Sequence, residues 1–459
     1  MKYIIFTYKG EGLAVAYHLM REGADVTVGM VEDPKELGIG DDTEENIFKT
    51  ARHSLYSGML DVVPAKYLIK AMAKLPNKDN YWVHVDFNCL FRYAKQIRDM
   101  GFKYGNFPTK EDYSLESDRA KAKELVEKYY PSVQIGEFKE FSKIEEAIEF
   151  LEETDEVWVL KGSNESAKTR APRTKNARWG ATLLTDSLKK DKAEYENGGF
   201  ILERRIHDMH ELTPQMYLWN GKPIMTNVNI ELKEVGAGNE GTQTGCGGDL
   251  VIQTNIEDEI NKISFPQAII DQYKGDVGLR LLDISLYYKD GQYFFGEFCP
   301  NRFGYDSNFT EMEMSGDRLQ DYFEKIREGK NPLIKKFGAA TRIHSLGDTD
   351  NVPKDFAESG LRFQFDPDYE KHIWLYDVTK DYDTESLVTT GFSWDLGVFT
   401  GASDDLQKAV ELAYEAAEHL YIEKSMKRPM EDFLSEGYDG SIMRRYRALD
   451  GKAFNVAKE

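Results

Sequence analysis

Short apolar runs alternate with amphipathic stretches from the first residues of the chain. Tyr3 to Thr7 reads as a strand and Lys9-Gly10-Glu11-Gly12 as a turn. Leu13 to Glu22 then carries apolar residues at helical spacing, and Ala24 to Met30 returns as a strand, completing a βαβ unit. Tyr81 to Phe87 predicts a further strand of that sheet, followed by a helix over Leu90 to Met100. Leu115 to Tyr130 predicts one long helix stopped at Pro131, and Ser142 to Glu153 another, opened by a Ser142/Glu145 capping box. Val157 to Leu160 is a buried-type strand running into Lys161, and Phe200 to Leu202 a second, running into Glu203. Asn220-Gly221 between Met216–Trp219 and Pro223–Val228 signals a hairpin. A helix over Arg318 to Glu328 precedes Gly329-Lys330-Asn331-Pro332, which punctuates a domain edge. Strands follow around Ala340–His344 and His372–Val378, and Asp405 to Tyr421 is an amphipathic helix. The charged tail beyond Ser425 is expected to be peripheral.

Composition narrows the picture. At 459 residues, two to four domains are expected. A hydrophobic content of 41% and an aromatic content of 12% suit an ordered protein, and a net charge of −21 opposes general binding to nucleic acid or anionic membranes. Cys89, Cys246 and Cys299 are odd in number and widely spaced, which predicts no disulfide framework and a reducing compartment. No apolar stretch approaches transmembrane length, so a cytoplasmic location is expected.

Several constellations could carry chemistry. Gly278 to Gly304 predicts a hairpin with Asp283 midway along one strand and Glu297 along the other. If Lys289-Asp290-Gly291 forms a three-residue loop, Asp283 faces Glu297, and like charges kept opposite one another ask for a cation between them. If Asp290-Gly291 instead makes a tight two-residue turn, the two acids go to opposite faces. Arg302 follows at the strand end, where it could meet an anion. Lys161 to Arg178 holds six cations against the single acid Glu165, either a cover over a polyphosphate or a solvated charge run. Glu203 and Glu211 could accept from ribose hydroxyls or receive an amino group, or be ordinary surface acids. His207 and His210 read as surface or packing residues, because no further ligand lies at metal spacing. The glycine-rich run Gly236 to Gly248 is either a flexible loop or a backbone-lined anion cradle. Gly10 and Gly12, after the first strand, could let a phosphate approach a helix N-terminus, but without a third glycine these two alone read as a tight turn.

Taken in order, these pieces resemble an ATP-grasp enzyme, and the family named most readily is phosphoribosylamine–glycine ligase. LESDRAKAKELVEKYY resembles the helix before the lid, with Arg119 where the family has a phosphate-contacting lysine. Val157 to Lys161 resembles the lid strand, and FILERRIHDMHELTPQMYLWNG the hinge strand, which implies Glu203 beside adenine and Glu211 at the ribose. Thr244-Gly245-Cys246-Gly247-Gly248 resembles a segment near the substrates, and Glu297 the principal magnesium ligand. LVTTGFSWDLGVFTGASDDLQKAVELAYEAAEHL resembles the C-terminal domain, beginning with its substrate-side turn at Gly391. The chain departs from the family in its stiffer lid loop NESAKTRAP and in Cys299, which stands at the usual asparagine position. It departs again in the turn Gly391-Phe392-Ser393.

The resemblance implies an α/β (α+β) fold in three parts. These are a Rossmann-like pre-ATP-grasp domain over 1–112, an ATP-grasp domain over 113–335 with a mobile lid at about 136–202, and a small C-terminal α/β domain over 336–459. It further implies ADP-forming ligation of a carboxylate to an amine through an acyl phosphate, with ATP and Mg2+ (or Mn2+) as cofactors. Arg119, Lys161, Glu203 and Glu211 would bind the nucleotide, and Lys161, Lys168 and Arg302 would serve catalysis. Asp283, Glu297 and Asn301 would bind the metal, and Gly10, Gly12, Thr244, Gly245 and Gly391 would line the substrates. The expected partners are a small amino acid such as glycine and a phosphorylated sugar amine, with no nucleic acid or membrane, on a monomer or homodimer. A ligase for another acid and amine and a non-catalytic nucleotide-binding descendant are the alternatives.

Overall fold

The opening apolar run becomes the strand Lys2–Thr7, buried at every position after the first. It pairs in parallel with Asp25–Met30 and with Tyr81–Val85, and Val62–Pro64 completes a four-stranded sheet. The helix Leu13–Arg21 buries Leu13, Val15, Ala16 and Leu19; of the residues whose spacing predicts it, Leu13 and Ala16 are buried, while Tyr17 and Met20 are half-buried. These elements belong to a computed structural model that describes residues 1–32, 37, 54–162, 169–316, 318–346, 359–438 and 440–456, with backbone alone at 242–245.

The chain divides into two compact units. The first comprises Met1–Lys110, Leu212–Asp283 and Asn301–Glu459, and the second Glu111–Glu211 and Ile284–Pro300. The first unit takes in nearly all of the segment expected at 1–112 and the whole of 336–459, and the segment expected at 113–335 is divided between the two units.

The first unit also holds a large antiparallel sheet. Its strands run Ile373–Leu375, Asp395–Ser403, Phe337–Ser345, Glu240–Thr254 and Lys222–Gly236 in spatial order, and Lys222–Gly236 pairs onward with His210–Trp219. Asn220 and Gly221 take positive φ values of 48° and 75°, the two-residue turn their sequence asks for. A single apolar core joins the N-terminal sheet to the C-terminal elements, from Tyr3 and Trp82 to Phe323, Trp374 and Val398.

Within that unit lies a buried polar cluster. Tyr217 and Asn227 donate to the carboxylate of Glu311, which is wholly buried in the helix Asp306–Met314. Burial pushes the pKa of Glu311 up to about 8, although its hydrogen bonds act the other way. A carboxyl whose pKa is raised by folding binds its proton more tightly in the native state. Its contribution is therefore full at acid pH and is lost as pH rises from the ordinary glutamate range through about 8. Denaturant unfolding at pH 5 and pH 8.5 should show this loss in the native protein and a flatter dependence in Glu311→Gln.

The second unit is built on the antiparallel sheet Phe138–Phe141, Phe200–Arg204, Trp158–Gly162, with Phe200–Arg204 central. The helices Ile144–Glu153 and Ala177–Lys190 bury Ala147, Leu151, Leu184 and Leu188 with Trp158 and Phe200 in its core.

Several expectations are corrected here. The helix predicted over Leu115–Tyr130 is two, Lys110–Ser117 and Arg119–Tyr129, because the Asp118 side chain caps the second by accepting from the Lys121 amide. The Ser142/Glu145 capping box does not form. Ile144 N–H donates to Glu196 instead, and Glu145 pairs with Lys192. The glycine-rich run is not a loop cradle: Glu240–Thr254 is a strand paired with Lys222–Gly236 through two register shifts. Glycine is required there because a Cβ on Gly247 would stand 2.5 Å from the Glu234 carbonyl oxygen, and one on Gly248 2.5 Å from the Phe433 ring.

The tail is not peripheral either. Arg428 is fully buried, donating to the Glu234 carbonyl and to Asn239 Oδ1 and pairing with Asp432 at 2.9 Å. Asp432 in turn accepts from Gly238 N–H, and Phe433, Ile442 and Leu449 are buried. The tail was expected on the surface because it is charged; Asp432 is a local partner of Arg428, but Glu234, Gly238 and Asn239, to which the two residues bond, lie almost two hundred residues away in sequence. Among the described residues no helix is long and apolar enough to cross a membrane.

Candidate functional site

In the second unit the residues that could hold a polyphosphate converge on one buried carboxylate. Lys161 sits near the end of the strand Trp158–Gly162, and Glu203 faces it from the neighbouring strand Phe200–Arg204. Lys161 Nζ lies 3.2 Å from Glu203 Oε1. Lys123, from the helix Arg119–Tyr129, donates to the other oxygen at 2.7 Å. Burial alone would raise the pKa of Glu203, yet Lys161 and Lys123 hold it below its ordinary value. Burial lowers that of Lys123 despite the opposing pull of Glu203, with Lys161 and Arg119 adding to the fall. Two ammonium groups against one carboxylate leave an excess of positive charge in a site where both lysines are buried.

Lys123 was missed in the sequence, where attention fell on Arg119. Its signal is position: it lies beside Ala122 and one turn before Val126, both buried, on the inward side of the helix. Arg119 at the start of that helix forms an ion pair of 2.6 Å with Glu297. Burial disfavours the Arg119 charge, but Glu297 outweighs it and raises the pKa above the ordinary guanidinium value.

The hairpin that carries Glu297 resolves the two turn readings. Lys289 pairs with Gln292, so Asp290-Gly291 is a two-residue turn, with φ values of 50° and 81°. The three-residue loop is thereby excluded, and with it the placement of Asp283 opposite Glu297. A register shift at Gly296 then sets Ser285 opposite Glu297. Ser285 Oγ donates to Glu211 at 2.9 Å. Glu203, Glu211, Glu297, Arg119 and Lys161 therefore all lie in the second unit, with Lys123 and Ser285 among them. Lys168 falls outside the described residues. Of the rest of the basic run, Arg170 bonds Leu160 through its backbone and pairs with Asp191, while Lys175 makes an exposed pair with Asp208.

The remaining candidates lie in the first unit. Asp283 is buried and accepts from Gln215 at 2.7 Å. Asn301 is fully buried with positive φ, and its Oδ1 accepts from Leu281 N–H while its own N–H donates to the Leu281 carbonyl. Among the described residues no group of three or more His, Cys, Asp or Glu is placed to hold a metal ion. Gly391 N–H donates to Asp377, which also accepts from Thr390 and Ser393 and so fixes that turn. Thr244 and Gly245 belong to the strand Glu240–Thr254, and their side-chain placement lies outside the description.

Gly10 and Gly12 form a turn stitched from within. Gly10 N–H donates to Thr7 Oγ1 at 2.9 Å, and Gly12 N–H to Asp86 Oδ2 at 2.8 Å. Thr7 donates to the same Asp86 oxygen at 2.5 Å. Burial, with Glu11 adding to it, pushes the Asp86 pKa up to about 7 against the hydrogen bonds from Thr7 and Gly12. The Arg302 guanidinium lies over the Phe87 ring at 3.8 Å and the Tyr305 ring at 4.5 Å. Neither Asp86 nor its role is signalled in sequence by anything beyond its place after a strand.

No protein-family profile and no curated protein matches the sequence. Solved structures do match in fold. Phosphoribosylamine–glycine ligase from Thermotoga maritima superposes with a TM-score of 0.64 at 15% identity, over 93% of this chain and 99% of that one. Biotin carboxylase from Campylobacter jejuni, in a complex with an ATP ligand, gives 0.61 at 15% identity over 98% and 99%. An L-amino acid ligase from Bacillus licheniformis gives 0.53 at 14% identity over 92% and 98%. The chain has the mixed α/β architecture of the ATP-grasp fold, at low sequence identity to these neighbours.

Proposed function

We propose that this protein is an ADP-forming ligase that joins a carboxylate to an amine. The observation that carries the reading is the convergence of Lys123 and Lys161 on Glu203 in an ATP-grasp fold. A buried acid shared by two lysines holds both ammonium groups in place before a ligand arrives, so little reorganisation is needed when a polyphosphate displaces part of that pairing. Lys161 and Lys123 would hold the phosphates, Arg119 would assist them, and Glu211 would take the ribose hydroxyls.

In the reaction, the terminal phosphoryl group of ATP passes to a carboxylate oxygen and ADP leaves. The amine nitrogen attacks the acyl carbon, the carbon–oxygen bond to phosphate breaks, and inorganic phosphate departs while the amine proton goes to solvent. A carboxylate alone is a poor electrophile because its leaving group is an oxide; the protein contributes positioning and charge neutralisation. A small amino acid such as glycine as the acid, with a sugar amine as acceptor, is the pair implied by the family resemblance.

A divalent cation would neutralise phosphate charge in such a reaction. Glu297 is the residue in the second unit suited to hold it: its side chain is 35% exposed and is shared with Arg119. Asp283 and Asn301 make structural hydrogen bonds to Gln215 and Leu281, and no step here depends on them.

A screen of ADP and phosphate release that crosses amino acids with amines tests the reading. Glu297→Ala should lower the ADP-forming rate roughly 100-fold or more while a fluorescent ATP analogue still binds. The Arg119–Glu297 pair favours one competing reading, a nucleotide binder without turnover. Tight ATP binding with no ADP release under any substrate pair would establish that competitor instead.

A further inference from the structure

All the residues that line a cavity of about 260 Å³ belong to the first unit, and the ligase reading uses none of them. The helix Leu13–Arg21 and its C-cap contribute His18 and Glu22. Met312 and Glu313 come from the helix Asp306–Met314, and Lys371 and Trp374 from the segment around the strand Ile373–Leu375. Sites for drug-sized ligands run to roughly 300–1,000 Å³, so a cavity of about 260 Å³ suits a smaller molecule.

Most of the polar groups around it are already satisfied. Glu22 caps the helix Leu319–Arg327, accepting from the Leu319 and Gln320 amides at 2.7 and 3.1 Å. Arg318 pairs with Asp321 at 3.2 Å. Trp374 donates its Nε1–H to Thr400, so its ring offers apolar surface, to which the buried Met312 and Leu319 add. His18 donates Nε2–H to the Ile373 carbonyl at 3.0 Å, which leaves Nδ1 of the neutral ring as an acceptor. Burial keeps that imidazole below its ordinary pKa.

Glu313 and Lys371 are the exceptions. Glu313 accepts from Thr400 Oγ1 at 3.2 Å and stands 2.9 Å from His372 Nδ1, which makes no hydrogen bond. Among the described residues no lysine or arginine pairs with Glu313, and its side chain is 16% exposed. Lys371 is exposed and has no acidic partner among the described residues. A largely buried carboxylate without a cation is costly, and a ligand ammonium relieves that cost. One cavity therefore presents an acid lacking a cation, a base lacking an anion, and an apolar floor.

We propose that this cavity binds a free α-amino acid with an apolar side chain, its ammonium on Glu313, its carboxylate on Lys371 and its side chain over Trp374, Met312 and Leu319. The site belongs to the first unit alone and is independent of the ligase reading.

Calorimetry on the full chain tests this with L-leucine, L-valine and L-phenylalanine, and with isocaproate and isoamylamine, each of which lacks one of the two charges. At least one of the amino acids should bind, and the singly charged analogues should bind roughly tenfold more weakly or worse. Lys371→Ala and Glu313→Gln should each weaken the amino acid by roughly tenfold or more. Their unfolding midpoints should stay close to that of the native protein, because Lys371 has no partner to lose and glutamine still accepts from Thr400. Lys161→Met, in the second unit, should leave the affinity within about twofold. Amino-acid binding that both cavity substitutions leave intact would overturn the proposal, as would equal binding of either analogue, or no binding by any of the three amino acids. A dimer seen by sedimentation and broken by Lys371→Glu would make the cavity an interface between copies and would overturn it as well.

Discussion

Arg428→Ala is expected to destabilise the protein by about 3–5 kcal/mol, the scale for removing one partner of a buried ion pair. The guanidinium is fully buried and serves three acceptors at once: the Glu234 carbonyl, Asn239 and Asp432. Among the described residues, its loss leaves the buried Asp432 carboxylate with the Gly238 amide as the remaining donor to its side chain. The carbonyl and amide acceptors also lose their donor. Arg428→Lys should recover only part of the loss, because one ammonium cannot reproduce the planar fork. Denaturant unfolding of native protein and both variants measures this, with the midpoint as readout. A loss under about 1 kcal/mol, the range for surface pairs, would show that the tail does not hold the Glu234–Asn239 segment.

Lys161→Met is expected to lower ATP-dependent turnover roughly 100- to 1,000-fold, the scale for losing one preorganised charge donor to a phosphoryl group. Its effect on stability should be far smaller. Lys123 still pairs with Glu203 after the substitution, so the buried carboxylate keeps a cation at 2.7 Å. Glu203→Gln should behave in the opposite way, because it leaves two buried ammonium groups facing each other and destabilises the fold directly. Measuring kcat, KM for ATP and the unfolding midpoint for the three proteins separates the roles. Lys161→Met with turnover within threefold of the native protein would remove Lys161 from phosphate binding.

Local pattern was enough to place the strand Lys2–Thr7, the helix Leu13–Arg21 and the hairpin at Asn220-Gly221, since each depends on neighbours a few residues apart. It was enough as well to single out Lys161 and Glu203, because a charged residue at the end of a buried strand is conspicuous wherever the strand lies. The helix after Ser114 was read as continuous because charge and periodicity carry through it. The break at Asp118 depends on one side chain turning back to cap its own helix.

The hairpin at Asp283 and Glu297 shows the limit most clearly. Its turn type was one of two readings open in the sequence, but the extra residue at Gly296 was not legible. A bulge is a register choice made between two strands, and one residue of slip changes which side chains meet. The family resemblance carried by those pieces implied the fold class, and strand ends singled out Lys161 and Glu203 of the proposed phosphate site. Tertiary structure alone decided that Lys123 joins Lys161 at Glu203, that Asp86 accepts from the Gly12 amide and that Arg428 is buried. Each of those pairings joins residues about 75 to 195 positions apart, and charge, desolvation and hydrogen bonding act through distance in space, which the order of residues does not contain.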